Sequence, residues 1–164
     1  MTNNDLLRRL RYALNLNGVS IAEIFALSGH AIEPLAVLKL LKKDDEYGFV
    51  PCDNTLMNNF LDGLIISRRG RQEQKAAPEQ PRCFAFTNNL ILRKLRIALE
   101  LDDEKMIAVL KLAGVTVSKP QLSAMFRSVE HRNYKECGDQ FLRNFIRGLT
   151  LGSSKATRPT AEEK

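Results

Sequence analysis

The chain has no tryptophan, two histidines and three cysteines among its 164 residues, and aromatic residues make up 7% of it. The two histidines, His30 and His131, lie in no Cys/His or His-x-x-x-His spacing, so the pattern that writes a metal site is missing, and each reads as a single surface or loop histidine. The acidic run Asp44-Asp45-Glu46 lacks the alternating ligands of a calcium loop and reads as a solvated turn. No apolar run approaches the roughly 18 residues of a membrane-spanning helix, which excludes a helical span. The opening is polar and then helical, unlike a secretion signal, and an odd number of cysteines argues against a disulfide framework. Reduced thiols and a cytoplasmic setting are expected. No stretch alternates apolar with polar residues as a half-buried strand does.

What is there is an ordinary globular share of hydrophobic residues, 44%, and a formal charge of +6. The charge is unevenly placed. Residues 1–71 carry nine basic and eight acidic side chains, whereas residues 86–152 carry eleven and seven. That excess favours an anionic partner only modestly, because no dense basic run accompanies it.

Sliding the chain against itself by 85 positions exposes a repeat. Thr2-Asn3-Asn4 falls on Thr87-Asn88-Asn89, and Leu7, Arg8, Leu10, Arg11, Ala13, Leu14 and Leu16 fall on Leu92, Arg93, Leu95, Arg96, Ala98, Leu99 and Leu101 without a gap. The same offset pairs Gly29 with Gly114, Cys52 with Cys137, Asn59-Phe60 with Asn144-Phe145 and Gly63-Leu64 with Gly148-Leu149. The expected organisation is a first repeat over 1–71, a polar linker over 72–85, a second repeat over 86–152 and a disordered tail over 153–164. Pro78 and Pro81 mark the linker, and loss of apolar periodicity after Gly152 marks the tail.

Each repeat reads as four helices. In the first, Leu6, Leu7, Leu10, Ala13 and Leu14 place helix 1 over about residues 4–16 behind a Thr2-Asn3 cap. Ser20 and Glu23 have the spacing of a capping box for helix 2, which Gly29 ends. Pro34 suits the first turn of helix 3. Asp53 or Asn54 opens helix 4, whose apolar face carries Leu56, Met57, Phe60, Leu61, Leu64 and Ile65. In the second repeat Asp103 and Ser118 are the expected caps. The fold class is therefore all-α: two small four-helix domains packed as a pseudo-symmetric unit, within one chain or as a homodimer. A domain of about 65 residues has a thin core, so the copies are expected to pack together. Both fourth helices are expected at that interface, with Asn59, Gly63, Asn144 and Gly148 at the point of close approach.

The segments Asn3 to Leu14, Asn89 to Ala98, Phe60 to Ile65 and, most specifically, Glu136 to Leu149 resemble the YehS-like family of bacterial proteins. The resemblance spans nearly all of residues 1–151. It implies a tandem duplication in a bacterial cytoplasmic protein of unknown function, and it brings no catalytic residues to carry over.

No acid, base, nucleophile or metal-ligand set is repeated, so no catalytic, metal or cofactor residues are assigned and a non-enzymatic role is expected. Cys52 and Cys137 precede helix 4, where a helix N-terminus lowers a thiol pKa, but no histidine accompanies them and core packing is the simpler account. Cys83 lies in the linker. The repeated charges are Arg8 and Arg11 with Arg93 and Arg96, which can hold phosphate or pair with a carboxylate such as Glu100. The leading expectation is a regulatory or adaptor protein that binds another macromolecule, a protein first, without membrane contact. The rival is nucleic-acid binding. Helix 2, Gly29 and helix 3 have the layout of a helix-turn-helix; Leu35 to Leu41 offers few groups for base edges, whereas Gln121, Ser123 and Arg127 offer more. The candidate binding residues are Arg8, Arg11, Arg93, Lys94, Arg96, Lys119, Arg127, Arg143 and Arg147.

Overall fold

A computed structural model describes residues 1–70 and 85–156. Eight helices and no strand occur among them: α1 (Asn3–Ala13), α2 (Gly18–Leu27), α3 (Pro34–Leu40), α4 (Asn54–Arg69), α5 (Asn88–Ala98), α6 (Asp103–Leu112), α7 (Lys119–Ala124) and α8 (Asp139–Ala156). Cys83 and most of the linker lie outside the described residues. The helix of the second copy's final segment continues through Ser153 and Ser154 to Ala156, past the point where apolar periodicity ends.

Local chemistry sets the boundaries. Thr2 and Thr87 cap α1 and α5 by accepting from the amides of Asp5 and Leu90. Helix 1 is shorter than expected: Asn15 (φ 52°) and Glu100 (φ 51°) take the left-handed conformation just beyond it, letting Leu16 and Leu101 donate back to the Arg11 and Arg96 carbonyls. Helix 2 starts earlier than the Ser20 and Glu23 spacing suggested, because Asn17 accepts from the Ser20 amide and Ser20 is already helical. Its equivalent, Asp102, caps α6 in place of the expected Asp103. Ser118 and Gln121 form a complete capping box on α7.

The two copies exchange partners. Within each copy the second helix packs on the fourth, α2 on α4 and α6 on α8, while α3 and α7 lean on α2 and α6. Each first helix, however, packs mainly on the fourth helix of the other copy, α1 on α8 and α5 on α4. Such reciprocal contacts are those of a two-fold interface, here built within one chain. The resulting apolar core is continuous across both copies and contains Leu7, Phe25, Phe60, Leu92 and Phe145.

Gly63 and Gly148 do not mediate contact between the copies. A methyl group at Gly63 would overlap the Ile24 carbonyl, 2.7 Å from its carbon, and one at Gly148 would overlap the Val109 carbonyl, 2.8 Å from its carbon. Each glycine therefore lets the fourth helix press on the backbone of the second helix of its own copy. The fourth helices reach the interface through the opposing first helices. Asn144 lines that junction, accepting from Gln140 at 3.1 Å. On the other side Asn58, the neighbour of half-buried Asn59, accepts from Lys94 of the other copy.

Candidate functional site

Most of the repeated polar residues hold the fold. Buried Asn4 donates to the carbonyls of Leu40 (2.8 Å) and Val50 (2.9 Å) and accepts from the Cys52 amide (2.9 Å). Asn89 makes the same three bonds to Met125, Lys135 and Cys137 at 2.8, 2.9 and 2.9 Å. These asparagines fasten helix 1 to the segment that leads into helix 4. The cysteines belong to that fastening. Both are buried and free, and burial first, then the neighbouring carboxylates, pushes each thiol up to about 12, the reverse of helix-terminus activation.

Several of the basic candidates are also engaged. Arg8 donates to the Lys42 carbonyl (2.7 Å) and Arg93 to the Phe126 carbonyl (2.6 Å), so both cap the end of helix 3. Arg96 donates to the Leu101 carbonyl, pairs with Asp103 at 2.8 Å and covers the Phe126 ring. The carboxylate expected for it, Glu100, instead faces Arg69 of the other copy at 3.6 Å. Lys119 pairs with Glu104 at 3.0 Å, which raises the lysine pKa. Arg11 lies against the Tyr12 ring, and Arg127 has no ion pair among the described residues.

The exchange of first helices creates two equivalent seams, α4 with α5 and α1 with α8, and their chemistry differs. On the α4–α5 seam Lys94 donates to Asp62 (2.5 Å) and to Asn58 (2.7 Å), a closed and neutral set. The 85-residue offset places Arg9 at the position of Lys94, Arg147 at that of Asp62 and Arg143 at that of Asn58. On the α1–α8 seam the cation thus meets two more cations. An open groove of about 370 Å³ lies there, lined by Arg9, Tyr12, Gln140, Arg143, Asn144, Ile146, Arg147, Thr150 and Leu151.

The groove's charges are incompletely neutralised. Arg9 pairs with Asp5 at 2.8 Å, and Asp5 is shared with Arg8 at 3.8 Å. Asp139, one turn before Arg143, is bound by the Met1 amino group and by Asn88, and these bonds hold its carboxyl below the usual range. Arg147 has no ion pair among the described residues, and the buried Nε of Arg143 has no acceptor. Tyr12 stands 73% exposed at the rim. Of the candidate binding residues from sequence, Arg143 and Arg147 meet here, beside the interface candidate Asn144. Arg9, Tyr12 and Gln140 were missed, although the signal was present: the offset that aligns the copies sets an acid against a base at Asp62 and Arg147.

Fold and seams define a tandem helical duplication whose repeated residues serve structure and whose diverged residues form a basic groove. The chain belongs to the family described as protein of unknown function (DUF1456), whose model matches it twice, over residues 3–70 and 88–153. It is 41% identical over 149 residues to the uncharacterised protein YehS of Escherichia coli (strain K12), covering 91% of this chain and 94% of that relative. No solved structure matches it. No described helix is long and apolar enough to cross a membrane.

Proposed function

We propose that the protein is a non-enzymatic adaptor or regulatory module of the cytoplasm that binds another protein through the groove between α1 and α8. The observation that carries this reading is the contrast between the seams: Lys94 is neutralised by Asp62, while Arg9, Arg143 and Arg147 share one groove. Arg9 has one carboxylate, which it shares with Arg8, and Arg143 and Arg147 have no ion pair among the described residues, so the groove attracts an incoming anion.

The groove is open and, from Gln140 to Leu151, runs for roughly 16 Å of helix, a form suited to a chain segment rather than an enclosed small molecule. Its mixture of arginine, an exposed tyrosine and the apolar Ile146 and Leu151 is typical of protein interfaces. The high thiol pKa values support the non-enzymatic part of the reading.

The test is a photoreactive residue at position 151, at the groove's edge, in the full chain in cells. Adducts with one discrete polypeptide, lost on Arg147→Asp, are expected. Adducts with nucleic acid alone, or adducts indifferent to that substitution, overturn the proposal.

Nucleic-acid binding is the second reading, and the observation favouring it is that Arg127, Arg143 and Arg147 of the second copy lack ion pairs among the described residues. Arg93, Lys94, Arg96 and Lys119 have internal partners, however. The helix in the recognition position is only seven residues long in α3, where Leu35 and Leu38 are exposed, and six in α7. Neither offers a long polar face to a major groove.

A further inference from the structure

We infer that the α1–α8 groove is a receptor for a phosphate monoester dianion, with Arg9, Arg143 and Arg147 as its ligands. The inference rests on that groove being the binding surface and names what it recognises. Three arginines line the groove, and the one ion pair any of them makes among the described residues is that of Arg9 with Asp5, a carboxylate Arg9 shares with Arg8. Asp139 is already occupied by the Met1 amino group. The set is left two positive charges in excess, which a dianion balances and a single carboxylate does not.

The guanidinium groups also have donors to give. The Nε of Arg143 is buried without an acceptor, and buried donors in native folds are otherwise satisfied. Arg143 and Arg147 are one turn apart on α8, so their planar forks reach one site from one helix face, while Arg9 reaches it from α1. A phosphate presents three oxygens to such a set. The neutral seam is a built-in control: Lys94, Asp62 and Asn58 occupy the same three positions and have no charge to offer.

A phosphorylated side chain of a partner and a free phosphate share this chemistry, and the experiment separates them. Calorimetric titrations of the full chain would use a short phosphoserine peptide, its unphosphorylated parent, inorganic phosphate, sulfate and an oligonucleotide lacking a terminal phosphate. Phosphopeptide and phosphate are expected to bind and the parent peptide is not. A tighter phosphopeptide identifies a partner's side chain as the source, and equal affinity identifies free phosphate. Affinity for the phosphopeptide should fall below about pH 6, where the monoester dianion takes up a proton, while sulfate binding stays level.

Arg147→Asp should weaken binding at least about tenfold, the scale of one charge-assisted contact. Its fold is protected, because the new carboxylate faces Arg9 as Asp62 faces Lys94. Arg143→Gln, which keeps hydrogen-bonding capacity, gives a second reading of the same loss. No binding by either the phosphopeptide or inorganic phosphate, unchanged binding in both variants, or preference for the oligonucleotide overturns the inference. If monoester binding is absent while Arg147-dependent cross-links to a polypeptide remain, the phosphate inference fails and the protein-binding reading stands.

Discussion

Asp62 on α4 and Arg147 on α8 stand 85 residues apart at equivalent positions, each across from the cation of the other copy's first helix: Asp62 lies 2.5 Å from Lys94, and Arg147 lines one groove with Arg9. Duplicated domains that differ in this way keep one seam for cohesion and free the other. Stability and binding are consequently opposed at residue 147. Arg147→Asp should raise the melting temperature by about 2 °C, since it replaces like-charge repulsion with a pair worth up to about 1 kcal/mol. Lys94→Ala should lower stability by about 1 kcal/mol, because Lys94 is more sheltered than its partner Asp62. Thermal denaturation of both variants checks the opposite signs; a melting temperature lowered by Arg147→Asp contradicts the equivalence of the seams.

Asn4→Ala and Asn89→Ala should each destabilise the fold by about 2–4 kcal/mol. Each substitution strands two carbonyls and one amide that the asparagine now satisfies, and unmet buried groups cost about 1–3 kcal/mol apiece, partly recovered by water. Chemical denaturation measures the loss, and values below about 1 kcal/mol contradict the fastening role.

Gly63→Ala and Gly148→Ala, conservative on paper, should each cost about 1–3 kcal/mol by forcing the second and fourth helices apart. Gly29→Ala tests a different cause: no atom lies near its Cβ position, and the penalty there comes from a φ of +84° alone. Melting curves of the three variants are the check, with near-native stability of Gly63→Ala as the contrary result.

Cys52 and Cys137 should resist alkylation at pH 8 far more than a free thiol does, because each ionises only near pH 12 in the folded state. The sign of the linkage follows. Their raised pKa values contribute stability that is complete below the unfolded thiol value and is lost as pH rises from about 9 toward 12. Site-resolved mass spectrometry after labelling reads the reactivity. Rapid modification of either residue in folded protein reopens a chemical role.

Residues 1–70 and 85–156 expressed separately should each be much less stable than the whole chain, since α1 and α5 lose the helices on which they mainly pack. Denaturation of each fragment, at concentrations low enough to prevent pairing, is the measurement. Fragments as stable as the intact protein contradict the exchange of first helices.

Much of this architecture was legible in the chain. The Thr-Asn-Asn openings, Pro34, Ser118 and the apolar faces of helices 1 and 4 specify their elements through local capping and periodicity. The partner exchange was not legible, because an apolar face states that it is buried and not against what. Gly63 and Gly148 showed that a close approach exists, yet a glycine carries no mark of which helix approaches it. Repetition marks structure rather than function here: Arg8, Arg93 and Arg96 are repeated because they hold helix ends and a carboxylate in place. The binding candidates are legible as failures of the repeat, where Asn58 and Asp62 become Arg143 and Arg147.

Arginine side-chain Nε–Hε resonances, followed by NMR during titration with a phosphoserine peptide, separate structural from binding arginines in one spectrum. Arg9, Arg143 and Arg147 should shift together at one affinity while Arg8, Arg93 and Arg96 stay in place. Shifts confined to the latter three, or no change at Arg143 and Arg147, would contradict a groove made by divergence of the two copies.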